Sequence, residues 1–296
     1  MNESPLQSTL LDMLLVIDRI CQKHAIPYQL AAGTLLGAVR DKDIIAWDKD
    51  ADICMLRADY ERFMAIAEKE LDDRFFLQHH KSEPYMYSLV TRLRLNGSRC
   101  YYSTRIGDTG MHEGIWLDIF AFDDVKPYSF VGKLHMAFCA LTIQLLVLRY
   151  VGDSGRIGPA RKPLWLKAVA WLVYQPLRLP SKKHLMQWTY RLITWYSFRH
   201  DASPKSEDDS GFVTCLVSMP FAAKKRCPRI RKRADFTRLT RATIAGHSFP
   251  IPANYHEVLI NLYGDYMSPP PMSERPSDIL VEFDQSTKMY DKPAQS

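Results

Sequence analysis

One short segment restricts this chain more than any other: Ile45-Ala46-Trp47-Asp48-Lys49-Asp50-Ala51-Asp52-Ile53. Residues two apart on an extended backbone point to the same face. A strand over residues 48–55 therefore lines up Asp48, Asp50 and Asp52, with neighbouring Cα atoms about 7 Å apart. Ala51 and Ile53 face the other way, into a core. Like charges this close raise each other's pKa unless something positive neutralises them. A hard cation answers that need, because Mg²⁺ (or Mn²⁺) requires only a few carboxylates plus phosphate oxygens and water. Taken alone, the three-aspartate run also reads as a solvated acidic turn, since short motifs are weak evidence.

Two features outside the run favour the metal. Upstream, Gly33 lets the backbone approach a phosphate closely, and Thr34 offers a hydroxyl donor. Downstream, Asp118 stands in Ile115-Trp116-Leu117-Asp118-Ile119-Phe120. A carboxylate among apolar neighbours is costly to desolvate without a partner. It is either paired structurally with Arg92, Arg94 or His112, or it is a third metal ligand or the general base for an acceptor hydroxyl. Arg92 and Arg94 share one strand face, as phosphate forks or as an ordinary solvated surface. Arg40 closes the glycine-containing segment. The candidate set is thus Asp50, Asp52 and Asp118 for metal and catalysis, with Gly33, Thr34, Arg40, Arg92 and Asp48 around the donor phosphates.

Periodicity supplies the frame. Leu6, Leu10, Met13, Ile17, Ile20 and Cys21 recur at helical spacing and predict a helix over 5–24. A short strand over 28–31 follows, then a helix start at 35–39, a helix from Asp59, and a strand at 75–77. Residues 88–95 alternate, with Leu89, Thr91, Leu93 and Leu95 on one side; 114–120 is a further strand. That order predicts an α+β (mixed α/β) core, a mixed sheet flanked by helices, over residues 1–127. Residues 128–200 read as helical hairpins carrying Trp165, Trp171, Trp188 and Trp195 among Lys and Arg, with breaks at 152–163 and at Pro176 and Pro180. They suit an interfacial helix on an anionic membrane, or core helices with snorkelling basic rims. Residues 201–296 complete the catalytic domain, beginning with a polar loop over 201–211 and ending in a weakly ordered polar tail.

Bulk properties narrow the class. Hydrophobic residues make up 47% and charged residues 24% of the 296, which excludes a disordered or fibrous chain. A net charge of +6 suits anionic partners such as nucleotide phosphates, glycans or lipid. Seven of the ten residues 224–233 are Lys or Arg, yet the run lacks the aromatic platforms of single-strand binders, so nucleic acid is not expected. The six cysteines form no CxxC pair and read as free thiols in a reducing compartment. No secretory signal is expected, and the apolar run 134–148 falls short of the roughly 18–20 residues of a span. The expected setting is the cytoplasm, or the inner face of the plasma membrane.

The segment 28–63 resembles the opening motif of the LicD family, which includes fukutin and the fukutin-related protein. The resemblance is carried by Gly33-Thr34-Leu35-Leu36-Gly37-Ala38-Val39-Arg40, by the aspartate run, and by Asp59-Tyr60-Glu61-Arg62-Phe63. His112-Glu113-Gly114-Ile115-Trp116-Leu117-Asp118-Ile119-Phe120 looks like the family's second carboxylate strand, and Leu262-Tyr263-Gly264-Asp265-Tyr266 like its C-terminal block. Ala32 stands where the family often has a second glycine. The resemblance implies a nucleotidyltransferase-like fold with metal on Asp50, Asp52 and Asp118. It also implies a CDP-alcohol donor and a phosphotransferase that passes phosphocholine or an alditol phosphate to a glycan or lipid-linked glycan, such as lipopolysaccharide or teichoic acid. A nucleotidyltransferase releasing pyrophosphate, and a catalytically inactive binding subunit of a glycan-assembly complex, are the alternatives.

Overall fold

The computed structural model describes residues 5–83, 86, 88–102, 110–153, 164–200, 211–217, 230–275 and 279–283. Its centre is a mixed sheet of β1 (Gln29–Leu30), β2 (Ala51–Leu56), β6 (Trp116–Val125), β4 (Thr91–Leu95) and β3 (Phe75–Gln78), in that spatial order. β2 and β6 run parallel, and the other pairs are antiparallel. β6 is long enough to serve twice. Its first part lies between β2 and β4; its last three residues also pair with β7 (Phe212–Thr214), which carries β8 (Ile230–Lys232).

Alternation assigns the two sheet faces. Ala51, Ile53 and Met55 of β2 and Leu117, Ile119 and Ala121 of β6 point into the main core. There they meet α1 (Pro5–Lys23), whose Leu10, Met13, Leu14 and Ile17 are fully buried, and α3 (Arg57–Glu70) through Phe63. Asp52, Cys54 and Leu56, with Asp118, Phe120 and Phe122, take the other face. Val213 and Phe236 close its far end against Cys54 and Leu56. The expected mixed sheet flanked by helices is present.

Several local expectations need correction. The strand begins at Ala51, not at residue 48. Asp48 lies in a turn, its N–H donating to the Ile45 carbonyl (2.9 Å), while the Gln7 side chain of α1 donates to the carbonyls of Ala46 and Asp48. Gly33 and Thr34 belong to the first turn of α2 (Ala32–Arg40) rather than to a free turn. α5 (Leu164–Leu177) runs one residue past Pro176. The polar tail contains β11 (Ile279–Phe283), which pairs antiparallel with β5 (Ser98–Tyr102). Finally, α4 (Phe130–Asp153) has 24 residues and is long and apolar enough to cross a membrane by length and composition. Lys133 and Arg149 interrupt the consecutive run but not the helix. The loop at 201–210 and most of the basic run, 224–229, lie outside the described residues.

The C-terminal third joins the same core. Hairpin β9 (Leu239–Ile244) and β10 (His247–Pro252) contributes Ile244, Phe249 and Ile251 to it, and α9 (Tyr255–Tyr263) contributes Val258 and Leu259. α9 stops at Gly264 (φ +73°), after which the Tyr266 hydroxyl meets His256 Nδ1 at 2.8 Å. The helical layer is α4, α5 and α6 (Lys182–Ile193), followed by the short α7 (Ser197–His200).

Candidate functional site

Strand register builds the site. Asp52 lies directly opposite Asp118 across the parallel β2–β6 pair, and Arg92 lies opposite Asp118 across the antiparallel β4–β6 pair. Paired residues share a face, so one rung of the sheet carries Asp52, Asp118 and Arg92 side by side. Asp50 enters from just ahead of β2. Oxygens of Asp50, Asp52 and Asp118 all lie within 4.8 Å of one another. Three residues singled out from sequence, 66 positions apart between Asp52 and Asp118, therefore converge. Among the partners considered for Asp118, the structure selects Arg92, whose Nε–H donates to Asp118 Oδ1 at 2.7 Å. Arg94 instead donates to Gln78 Oε1 (2.8 Å) and the Gly114 carbonyl (2.6 Å). His112 stacks on Phe76 and pairs with Asn96.

The N-terminal turn of α2 fixes this rung. The Asp52 N–H donates to Thr34 Oγ1 at 2.8 Å, and the Gly33 N–H donates to the Asp52 carboxylate. A Cβ on Gly33 would displace the Asp48 carboxylate, so glycine lets that carboxylate lie directly over the helix start. Ala32 adopts φ +41°, a left-handed backbone that glycine accepts more readily. Arg40 is held by Asp41 through two hydrogen bonds (2.7 and 2.8 Å) and sits over the Trp47 ring. Arg275 covers Trp47 at 3.9 Å. Trp47 and Arg275 border the aspartate loop, yet neither stands in the sequence-derived set. The tryptophan was visible in the motif, whereas no local signal marks Arg275.

Electrostatics explain what the cluster lacks. Burial pushes Asp50 up to about 7, helped by the charges of Asp48 and Asp118 and opposed by Arg92. Burial likewise drives Asp52 well above the usual carboxylate range, with Asp50, Asp118 and Asp48 adding to it. Asp48 is raised by burial too, and its carboxyl hydrogen-bonds that of Asp50. A single arginine on the rung is too little positive charge for four acids. The donor set, oxygen only and half-buried, fits a hard divalent cation.

A pH prediction arises here. Asp50 binds its proton more tightly folded than unfolded. Its favourable contribution is complete below the unfolded value and is lost as pH rises through about 7. Without divalent metal, Asp50→Asn should therefore melt higher than the parent chain. The gap should widen between pH 5 and pH 8 by roughly 2 kcal/mol, about 4–8 °C. Millimolar Mn²⁺ should close it by raising the parent. A gap independent of pH, in calorimetric melts, would remove the titrating cluster.

Comparison with known proteins agrees with the motif. Residues 25–131 match the family model LicD/FKTN/FKRP, nucleotidyltransferase domain. The chain is also similar to the lipopolysaccharide cholinephosphotransferase LicD of Haemophilus influenzae, 24% identical over 270 residues, covering 91% of this chain and 92% of that protein. Asp50, Asp52, Asp118 and Arg92 all fall inside the segment that matches the LicD family model.

Proposed function

We propose that this chain transfers a phospho-alcohol, phosphocholine-like or an alditol phosphate, from a CDP-activated donor to a sugar hydroxyl of a cell-surface glycan, releasing CMP. The convergence of Asp50, Asp52 and Asp118 inside a LicD-family segment carries the reading. The similarity to a lipopolysaccharide cholinephosphotransferase supports a phosphorus-containing group moved to a glycan.

Asp50, Asp52 and Asp118 would hold Mg²⁺ or Mn²⁺, which when bound supplies positive charge to a diphosphate and to departing CMP. The chain's own residues supply position. Gly33 and Thr34 bring the start of α2 against the carboxylate rung, where a helix N-terminus favours negative charge. Arg92 presents its positive charge to non-bridging oxygens, while its Nε holds Asp118 in place. Asp48, hydrogen-bonded to Asp50, supports that ligand. Arg40 reaches donor oxygens only if it leaves Asp41. The acceptor oxygen forms a bond to the distal phosphorus, the bond from that phosphorus to CMP oxygen breaks, and Asp118 positions the hydroxyl or takes its proton. A CTP-derived donor and the buried free thiols of Cys21, Cys54, Cys100, Cys139 and Cys215 suit a cytoplasmic setting.

The test is product analysis with purified protein, Mg²⁺, CDP-choline and lipopolysaccharide. CMP should appear in step with choline phosphate on the glycan. The family description also names a nucleotidyltransferase domain, and pyrophosphate release from CTP would favour that reaction instead. Failure to bind Mn²⁺, with no turnover of any CDP-alcohol, would leave a binding subunit.

A further inference from the structure

We infer that the helical layer is a docking face for an anionic phospholipid surface, with α4 and α5 lying in the membrane plane. α5 is apolar apart from Lys167 and Gln175, and among its described side chains only Tyr174 is buried. Leu164 is 83% exposed, Trp165 65% and Trp171 52%, with Val169, Leu172 and Val173 beside them. A helix of this kind is stable inside a core or in contact with lipid, and in this structure it lies at the surface. α4 continues the face with Phe130, Leu134, Phe138 and Leu141, an exposed stripe at helical spacing. Trp188 of α6 and Trp195 after it are also more than half exposed. Tryptophan suits the boundary between apolar chains and headgroups.

Charge selects the partner. Residues 126–200 contain 12 Lys or Arg and one acid, Asp153. Subtracting them leaves the rest of the chain at −5, so the segment is +11 in a protein of +6. Lys133, Lys183 and Arg191 are exposed on the helices that carry the apolar surface, and Arg178 is exposed just past the end of α5. Basic side chains interleaved with exposed aromatics complement anionic headgroups over acyl chains.

The in-plane arrangement follows from the opposite face of α4. Met136, Cys139 and Ile143 are packed with Ile193, Leu216 and Val217, Leu146 is buried too, and His135 Nε2 meets the Leu192 carbonyl at 2.7 Å. Crossing the bilayer would tear that face from the protein, whereas lying on it leaves the packing intact.

The inference does not depend on the proposed reaction, and its test needs no turnover. The full chain should float with vesicles containing phosphatidylglycerol at least about tenfold more than with pure phosphatidylcholine, and high salt should weaken it. Trp165→Glu with Trp171→Glu should abolish flotation while the melting midpoint stays within a few degrees. No flotation with either vesicle would overturn the inference. So would light scattering showing a dimer that the same substitutions dissociate, which assigns the face to a second copy. Release from native membranes by detergent alone, and not by alkaline carbonate, would replace the in-plane helix with a spanning one.

Discussion

An Asp50→Asn, Asp52→Asn double variant should lose at least about a hundredfold in metal-dependent transfer while remaining folded, because the substitutions remove charge but not volume. The removed charges are the ones least comfortable in the apo protein. Both carboxyls are driven upward by burial, Asp50 further by Asp48 and Asp118, and Asp52 further by Asp50 and Asp118. The variant should therefore be at least as stable as the parent without metal, and should lose the parent's stabilisation by Mn²⁺. Turnover assays and melts on the same preparation separate the two effects. Turnover at the parent's rate in the double variant would sink the catalytic account.

The second large effect concerns stability. Asp123 is fully buried on β6 and accepts two hydrogen bonds from Arg57 of α3, at 2.8 and 2.9 Å. Ser197 Oγ donates to the same carboxylate (3.2 Å) and accepts the Asp124 N–H (3.0 Å). Arg57 also reaches Glu61, which accepts from the Tyr190 hydroxyl of α6. Asp123→Ala strands a buried guanidinium and should cost about 3–5 kcal/mol in urea unfolding. The paired replacement Arg57→Met with Asp123→Leu should recover most of it, since both desolvated charges disappear together. If the pair is as unstable as the single variant, the penalty is a packing cavity and not an unpaired charge.

Most of the carboxylate site was legible in the sequence. Period-two alternation placed Asp52 on the face opposite Ala51 and Ile53, a carboxylate among apolar neighbours singled out Asp118, and glycine next to threonine marked the segment that packs beside them. The register between those strands was not legible. β2, β6 and β4 are neighbours in space but not in order, and no local pattern says that Asp52, Asp118 and Arg92 share a rung. Asp48 left the strand because Gln7, some 40 residues earlier, pins the loop carbonyls, a tertiary contact that alternation cannot encode. β11 was missed although Ile279, Leu280, Val281 and Phe283 are apolar and β-prone; the polar composition of the tail around them outweighed that local signal.

β6 has a mechanical consequence. Asp118 stands near its beginning and Asp123 five residues on, roughly 16 Å away along one extended strand. The first residue belongs to the carboxylate cluster; the second is clamped by Arg57 and Ser197. The strand is therefore a stiff lever with the carboxylate cluster at one end and the helical layer's anchor at the other. Whatever surface those helices settle on also sets the compass bearing of the carboxylates, and so, for the proposed transfer, the direction from which an acceptor must arrive.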